Sequence, residues 1–228
     1  MQLSLSQSTD LKRFLIISLL LLWCVWLIGV RVQRTGSGYY LFLLWNLFLA
    51  GVPLFLSTVL RALNRLEKRS LWQVSCFALW LLFLPNAPYI LTDLQHLKNP
   101  SIAPTWYDVA LLVSCAGTGI LLGYLSLVDV QEIIARRFGS FTGWLFAVSS
   151  LVLSGFALYL GRFLRWNSWD LIVRPGRFFY LGDIIFSPVT NTRPMAVTFI
   201  FGTMLALGYV AIRVLLAGPQ PGQKELHH

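Results

Sequence analysis

L-F-L-P-N-A-P-Y-I-L-T-D-L-Q-H-L, residues Leu82–Leu97, begins as the end of an apolar run, is interrupted at Pro85 and Pro88, and resumes as a short amphipathic segment. Proline lacks an N–H and disfavours helical geometry in the residue before it, so this stretch predicts a helix that breaks near its end. At membrane depth a broken helix is tolerated where it lines a cavity, and its freed backbone groups are available to a ligand. Asn86 lies in the break and is placed to cap the next turn, with Pro88 at its first position. In α-helical register Tyr89, Asp93 and His96 then share one face and Ile90, Leu94 and Leu97 the other. The plainer alternative is a proline-stopped span followed by an ordinary interfacial helix.

Composition sets the class of the whole chain. Of 228 residues, 57% are hydrophobic and 12% charged, with a mean hydropathy of +0.69. Soluble domains carry roughly 25% charged residues, and here the charges collect in short clusters between long neutral runs. That pattern predicts an all-α, polytopic membrane helix bundle without a separate soluble domain. The six expected spans are residues 14–30, 39–60, 71–91, 109–128, 141–161 and 195–217. Each is close to the ~20 residues needed to cross ~30 Å of hydrocarbon. The first follows Lys12 and Arg13 like a signal peptide, but it is long and ends in R-V-Q-R, so it reads as a retained helix.

The formal net charge of +9 is carried by Lys and Arg beside the spans. Topology and anionic lipid headgroups account for such charge, and nucleic acid is not an expected partner. Short loops rich in Lys and Arg (Lys12 and Arg13, the Arg61–Arg69 loop, the Gln131–Ser140 loop) favour both termini in the cytoplasm. The opposite side nevertheless holds Arg31, Arg34, Lys98, Arg162, Arg165, Arg174, Arg177 and Arg193, which suggests that some of these have specific partners. Cys24, Cys76 and Cys115 lie inside apolar runs without CxxC spacing and read as small buried side chains.

Sidedness brings the polar residues together. Asn46 lies seven residues into the second span, about 10 Å below Tyr39, Asn86, Tyr89, Asp93 and His96 end the third, Asp108 opens the fourth, and Arg162 and Arg165 follow the fifth. All belong to one rim, expected to face outward, and these eight are the candidate ligand-binding residues. Arg162 and Arg165, beside Trp166 and Trp169, suit a phosphate or carboxylate, while snorkelling next to an aromatic belt is the alternative. A pair of Asp108 with Arg162 or Arg165 would simply close the bundle. Asn46, so deep, needs an interhelical bond or a ligand. One His with Asp93 and Asp108 is too thin a set for a metal, and no cofactor is indicated. The long connection 162–194 carries aromatics suited to the headgroup region and reads as an interfacial segment able to cover the site. Gly119-x-x-x-Gly123 predicts close helix packing, within the chain or with a membrane-protein partner or second copy.

The Leu82–Leu94 motif, W-Y-D at Trp106–Asp108 and G-R-F-L-R-W-N-S-W-D at Gly161–Asp170 together resemble a family of bacterial multi-pass membrane proteins catalogued as a domain of unknown function (number 1361). The resemblance covers roughly Tyr39 to Ala217. It implies a bacterial inner-membrane location and carries no activity, cofactor or catalytic residue with it. Three readings therefore stay open: binding or transport of an anionic or lipid-like ligand, an enzyme acting on a lipid-linked or phosphorylated substrate, and a scaffold. The first is preferred. An enzyme would be expected to show a nucleophile motif, and a scaffold has no need of the Asn86–His96 arrangement.

Overall fold

A computed structural model describes residues 2–65, 71–98, 102–168, 170–173, 176 and 192–217. The elements are α1 (Gln2–Thr35), α2 (Phe42–Arg65), α3 (Leu71–Phe83), α4 (Asn86–Tyr89), a 3-10 segment (Ile90–Lys98), α5 (Thr105–Phe138), α6 (Ser140–Phe163), α7 (Asp170–Val173) and α8 (Arg193–Ala217). Among the described residues there is no strand, as the all-α reading expects. Among the described residues six helical stretches are long and apolar enough to cross a membrane, and each contains one expected span or nearly all of it.

α5 is the post around which the others stand. Its buried stripe includes Leu111, Leu112, Cys115, Gly119, Leu122 and Leu127. α1, α2, α4, the 3-10 segment and α6 pack on it, and α8 packs on α6. Lipid tails are as apolar as leucine, so such packing rests on close fit and polar bonds rather than on expulsion of water. Both occur here. A Cβ on Gly119 would lie 2.5 Å from the Ala87 carbonyl oxygen, and one on Gly123 2.8 Å from the Ala87 Cβ. The small-residue face is thus packed by α4 of the same chain, the intrachain contact that Gly119-x-x-x-Gly123 allows. Tyr124 Oη donates to the Leu205 carbonyl at 2.7 Å, and Trp80 Nε1 to Ser126 Oγ at 3.4 Å.

α5 also carries two buried carboxylates that centre ion pairs. At one end Arg31 Nε donates to Asp108 Oδ1 at 2.7 Å, both side chains being almost wholly buried, and the Arg31 guanidinium lies 4.3 Å from the centre of the Tyr40 ring. At the other end Asp129 accepts from Arg13 at 3.1 Å, Arg61 at 3.0 Å and Ser57 at 3.3 Å. The two carboxylates are 21 residues apart, which at 1.5 Å per residue is about 31 Å. That matches the ~30 Å hydrocarbon thickness.

Two expectations about chain boundaries change. The Gln131–Ser140 loop is mostly helix: α5 runs to Phe138, and Gly139 alone, at φ +92°, turns the chain into α6. The break in the third span comes at Leu84 and Pro85, but beyond Tyr89 the chain continues as a 3-10 helix. With three residues per turn, Leu91, Leu94 and Leu97 align and pack on the core, while Ile90, Asp93 and His96 form another line. Ile90, Leu94 and Leu97 still meet in one core cluster, as the sequence reading groups them, and the 3-10 pitch adds Leu91 to it.

Candidate functional site

Asp93 is the centre of the rim. Its carboxylate is almost completely buried, because the break after α3 turns the 3-10 segment back against α5 and α2. A buried carboxylate needs partners. Asn46 Nδ2 of α2 donates to its Oδ2 at 2.8 Å, and Arg162 Nη1 of α6 to its Oδ1 at 3.3 Å. His96, one 3-10 turn on, has its Nε2 3.9 Å from Asp93 Oδ1, beyond hydrogen-bond range. The other ring nitrogen, Nδ1, is 2.9 Å from Tyr39 Oη.

Neighbouring elements hold this constellation in place. Asn86 does not cap α4; its Nδ2 donates back to the Phe83 carbonyl at 3.0 Å and across to Ser168 Oγ at 2.8 Å. That ties the broken helix to the segment after α6. The Tyr89 ring lies where a Cβ of Gly161 would be, 2.9 Å from its Cε2, so only glycine lets α4 approach α6 this closely. After α6 the Trp166 amide returns to the Leu160 carbonyl at 3.1 Å. Arg165 takes a left-handed φ of +55° to allow it.

Between α2, α3, α4, the 3-10 segment and α6 lies a cavity of about 940 Å³. Asn46, Asn86, Tyr89, Asp93, His96, Arg162 and Arg165 all line it. Of the eight candidates one is missing: Asp108 belongs to the separate buried pair with Arg31. Neither Arg162 nor Arg165 closes the bundle against it, because Arg162 is held by Asp93. The expected excess of partnered arginines is met by Arg31 and Arg162, two cations on one rim with buried carboxylates.

Arg162 is only partly satisfied. Its side chain is 14% exposed, and its Nε and Nη2 are buried without a hydrogen-bond partner among the described residues. One guanidinium nitrogen is thus fixed by Asp93, and two N–H-bearing atoms remain for something else. Arg165 lines the same cavity with its side chain exposed. With Asp93 ionised, the two arginines leave one net positive charge. Such a set takes up an oxyanion through charge-assisted, forked hydrogen bonds. No group of three His, Cys, Asp or Glu able to hold a metal ion occurs among the described residues.

Two contributors to this rim, and the Asp129 centre at the opposite end of α5, are not singled out by the sequence reading. Tyr39 opens the apolar run of α2 at the level of His96, and its place at that rim is the available signal. Ser168 sits inside the R-W-N-S-W-D motif without a distinguishing mark. Asp129, one residue past an apolar run and among basic loops, carries the stronger signal: an acid on the basic side invites a pairing. Of the proposed interfacial cover, Leu164–Ser168 and α7 are described; Trp169, Arg174, Arg177, Phe178, Phe179, Tyr180, Ile184 and Ile185 lie outside the described residues.

No curated protein and no solved structure matches the chain. The family model described as a protein of unknown function (DUF1361) matches residues 45–207, from Trp45 on α2 to Leu207 on α8. That interval includes Asn46, the broken third span, Arg162 and Arg165, and leaves out α1 and Tyr39. The match extends over more than half of the chain, and the protein belongs to this family of unknown function.

Proposed function

We propose that this is an integral, multi-pass protein of the bacterial inner membrane that binds or transports an anionic ligand at the Asp93–Arg162 cavity. Both termini lie in the cytoplasm and the cavity opens outward, a placement supported by the Lys and Arg of the short loops. The observation that carries the reading is Arg162, which lines a large cavity and holds two buried nitrogens without a hydrogen-bond partner among the described residues. A buried guanidinium edge left unsatisfied is costly, and an oxyanion satisfies it at the geometry for which arginine is suited. Asp93 and Asn46 act as positioning residues: Asp93 accepts from Arg162 Nη1, and Asn46 in turn holds the Asp93 carboxylate.

The Tyr39–His96–Asp93 line favours a second reading, an enzyme in which His96 moves a proton on a phosphorylated or lipid-linked substrate. The 3.9 Å between His96 and Asp93 exceeds hydrogen-bond range, so the binding reading is preferred. A scaffold loses its main support because the Gly119–Gly123 face is covered within the chain.

The test is native mass spectrometry of the full chain released from detergent, with inorganic phosphate as the added probe. Wild type should retain an anionic adduct. Arg162→Ala should lower its occupancy about tenfold or more, the ~1.4 kcal/mol of at least one charged hydrogen bond. Asp93→Ala should change it by freeing the guanidinium. Occupancy unchanged in both variants would remove the reading.

A further inference from the structure

The cavity is not only a polar rim. From Arg162 it continues along α6 past Ala157 and Phe156 to Leu153, facing Ala78 and Leu82 of α3 and Leu49 of α2. Leu153 and Arg162 are nine residues apart on one helix, about 13 Å at 1.5 Å per residue. Since α6 is 24 residues long, Leu153 lies near its midpoint, and the apolar arm reaches from the charged rim towards the middle of the span. The arm is also open sideways. Leu153 is 49% exposed and Trp45, on the opposite wall, 54% exposed, although both line the cavity. In a membrane such surfaces meet lipid rather than water.

A site built for a small water-borne anion would need the rim alone. Here Arg162 and the exposed Arg165 stand at headgroup depth above an apolar slot that opens towards the acyl layer. We infer that the anion taken by Arg162 is the headgroup of a membrane-resident amphiphile, a phosphate or carboxylate with an attached hydrocarbon chain. The chain lies in the slot between α3 and α6 and enters laterally from the bilayer. This deepens the anion-binding reading and rests on it. Hydrocarbon gains little by moving from lipid to a protein slot, so Arg162 and Arg165 supply selectivity, while the slot admits only molecules that bring a chain. Ala78 and Ala157 are small side chains on its two long walls.

The experiment uses full-length protein in nanodiscs of phosphatidylcholine, with phosphatidylglycerol as the lipid probe and glycerol 3-phosphate as the chain-free probe. Retention is read by native mass spectrometry. Wild type should retain phosphatidylglycerol at least about tenfold more tightly than glycerol 3-phosphate. Ala157→Phe, and separately Ala78→Phe on the opposite wall, should reduce phosphatidylglycerol retention about tenfold while leaving glycerol 3-phosphate unchanged. Two variants on different helices, each checked for an unaltered helical spectrum and elution volume, guard against misfolding. Arg162→Ala should weaken both probes. If glycerol 3-phosphate binds as tightly as the lipid in an Arg162-dependent way and neither alanine replacement matters, the amphiphile inference is overturned and the anion site stands. If neither probe depends on Arg162, both fall.

Discussion

Arg31 and Arg162 stand on the same rim and meet their carboxylates in different ways. Arg31 reaches Asp108 with Nε at 2.7 Å and Nη2 at 3.3 Å, a forked pair sealed by Tyr40. Arg162 offers Asp93 a single nitrogen. The first geometry is that of a structural clasp, the second of a cation held for another anion. Arg31→Met should therefore destabilise the fold by about 3–5 kcal/mol, since it strands a buried carboxylate, whereas Arg31→Met with Asp108→Leu should recover most of the loss. Denaturant unfolding in mixed micelles checks this, and additive losses would refute the clasp. Arg165 allows a second prediction. Its φ of +55° costs an L-residue about 1 kcal/mol that glycine does not incur. Arg165→Gly should accordingly be more thermally stable than Arg165→Ala. Equal melting temperatures would mean the left-handed turn carries no strain.

Among the elements, the contrast between α2 and the third span shows what prolines do in context. L-W-N-L-F-L-A-G-V-P-L-F-L at Leu44–Leu56 and L-W-L-L-F-L-P-N-A-P-Y-I-L at Leu79–Leu91 agree at seven of thirteen positions. Yet α2 continues through Pro53 to Arg65, and the other segment stops at Phe83. One proline leaves a helix a single unpaired carbonyl, which a bend absorbs; two prolines three residues apart act on successive turns. The break was legible for that reason. Its sequel was not, because 3-10 and α-helical continuations have similar local preferences, and packing of Leu91, Leu94 and Leu97 on the core selects between them. The break also depends on α5. A side chain at Gly119 meets the Ala87 backbone oxygen, which cannot rotate away. Gly119→Ala should cost about 1–3 kcal/mol and, by shifting α4, weaken anion retention. Gly117→Ala, with open space at its Cβ, should do neither.

For the molecule as a whole, the Asp108 and Asp129 centres mark two levels about one hydrocarbon thickness apart. Ser37 and Ser140 lie beyond opposite levels. Cysteines placed there should react with a membrane-impermeant maleimide from opposite sides of intact cells, Ser37→Cys from outside and Ser140→Cys from inside. The native Cys24, Cys76 and Cys115 are buried and give a low background. Reaction of both from the same side would break the topology. Long neutral runs, their number and the common rim of Asn46, Asn86, Asp93, His96 and Arg162 came from the sequence by itself. Hydrocarbon length and the obligation to satisfy backbone groups locally leave few alternatives there. Which charges pair was decided only in the tertiary structure. Asp108 faces Arg31 instead of Arg162, and Asp129 gathers Arg13 and Arg61, because those choices depend on the rotation of each helix about its axis. That rotation is set by close contacts such as Ala87 on Gly119 and Tyr89 on Gly161, between residues whose sequence separation carries no record of their meeting.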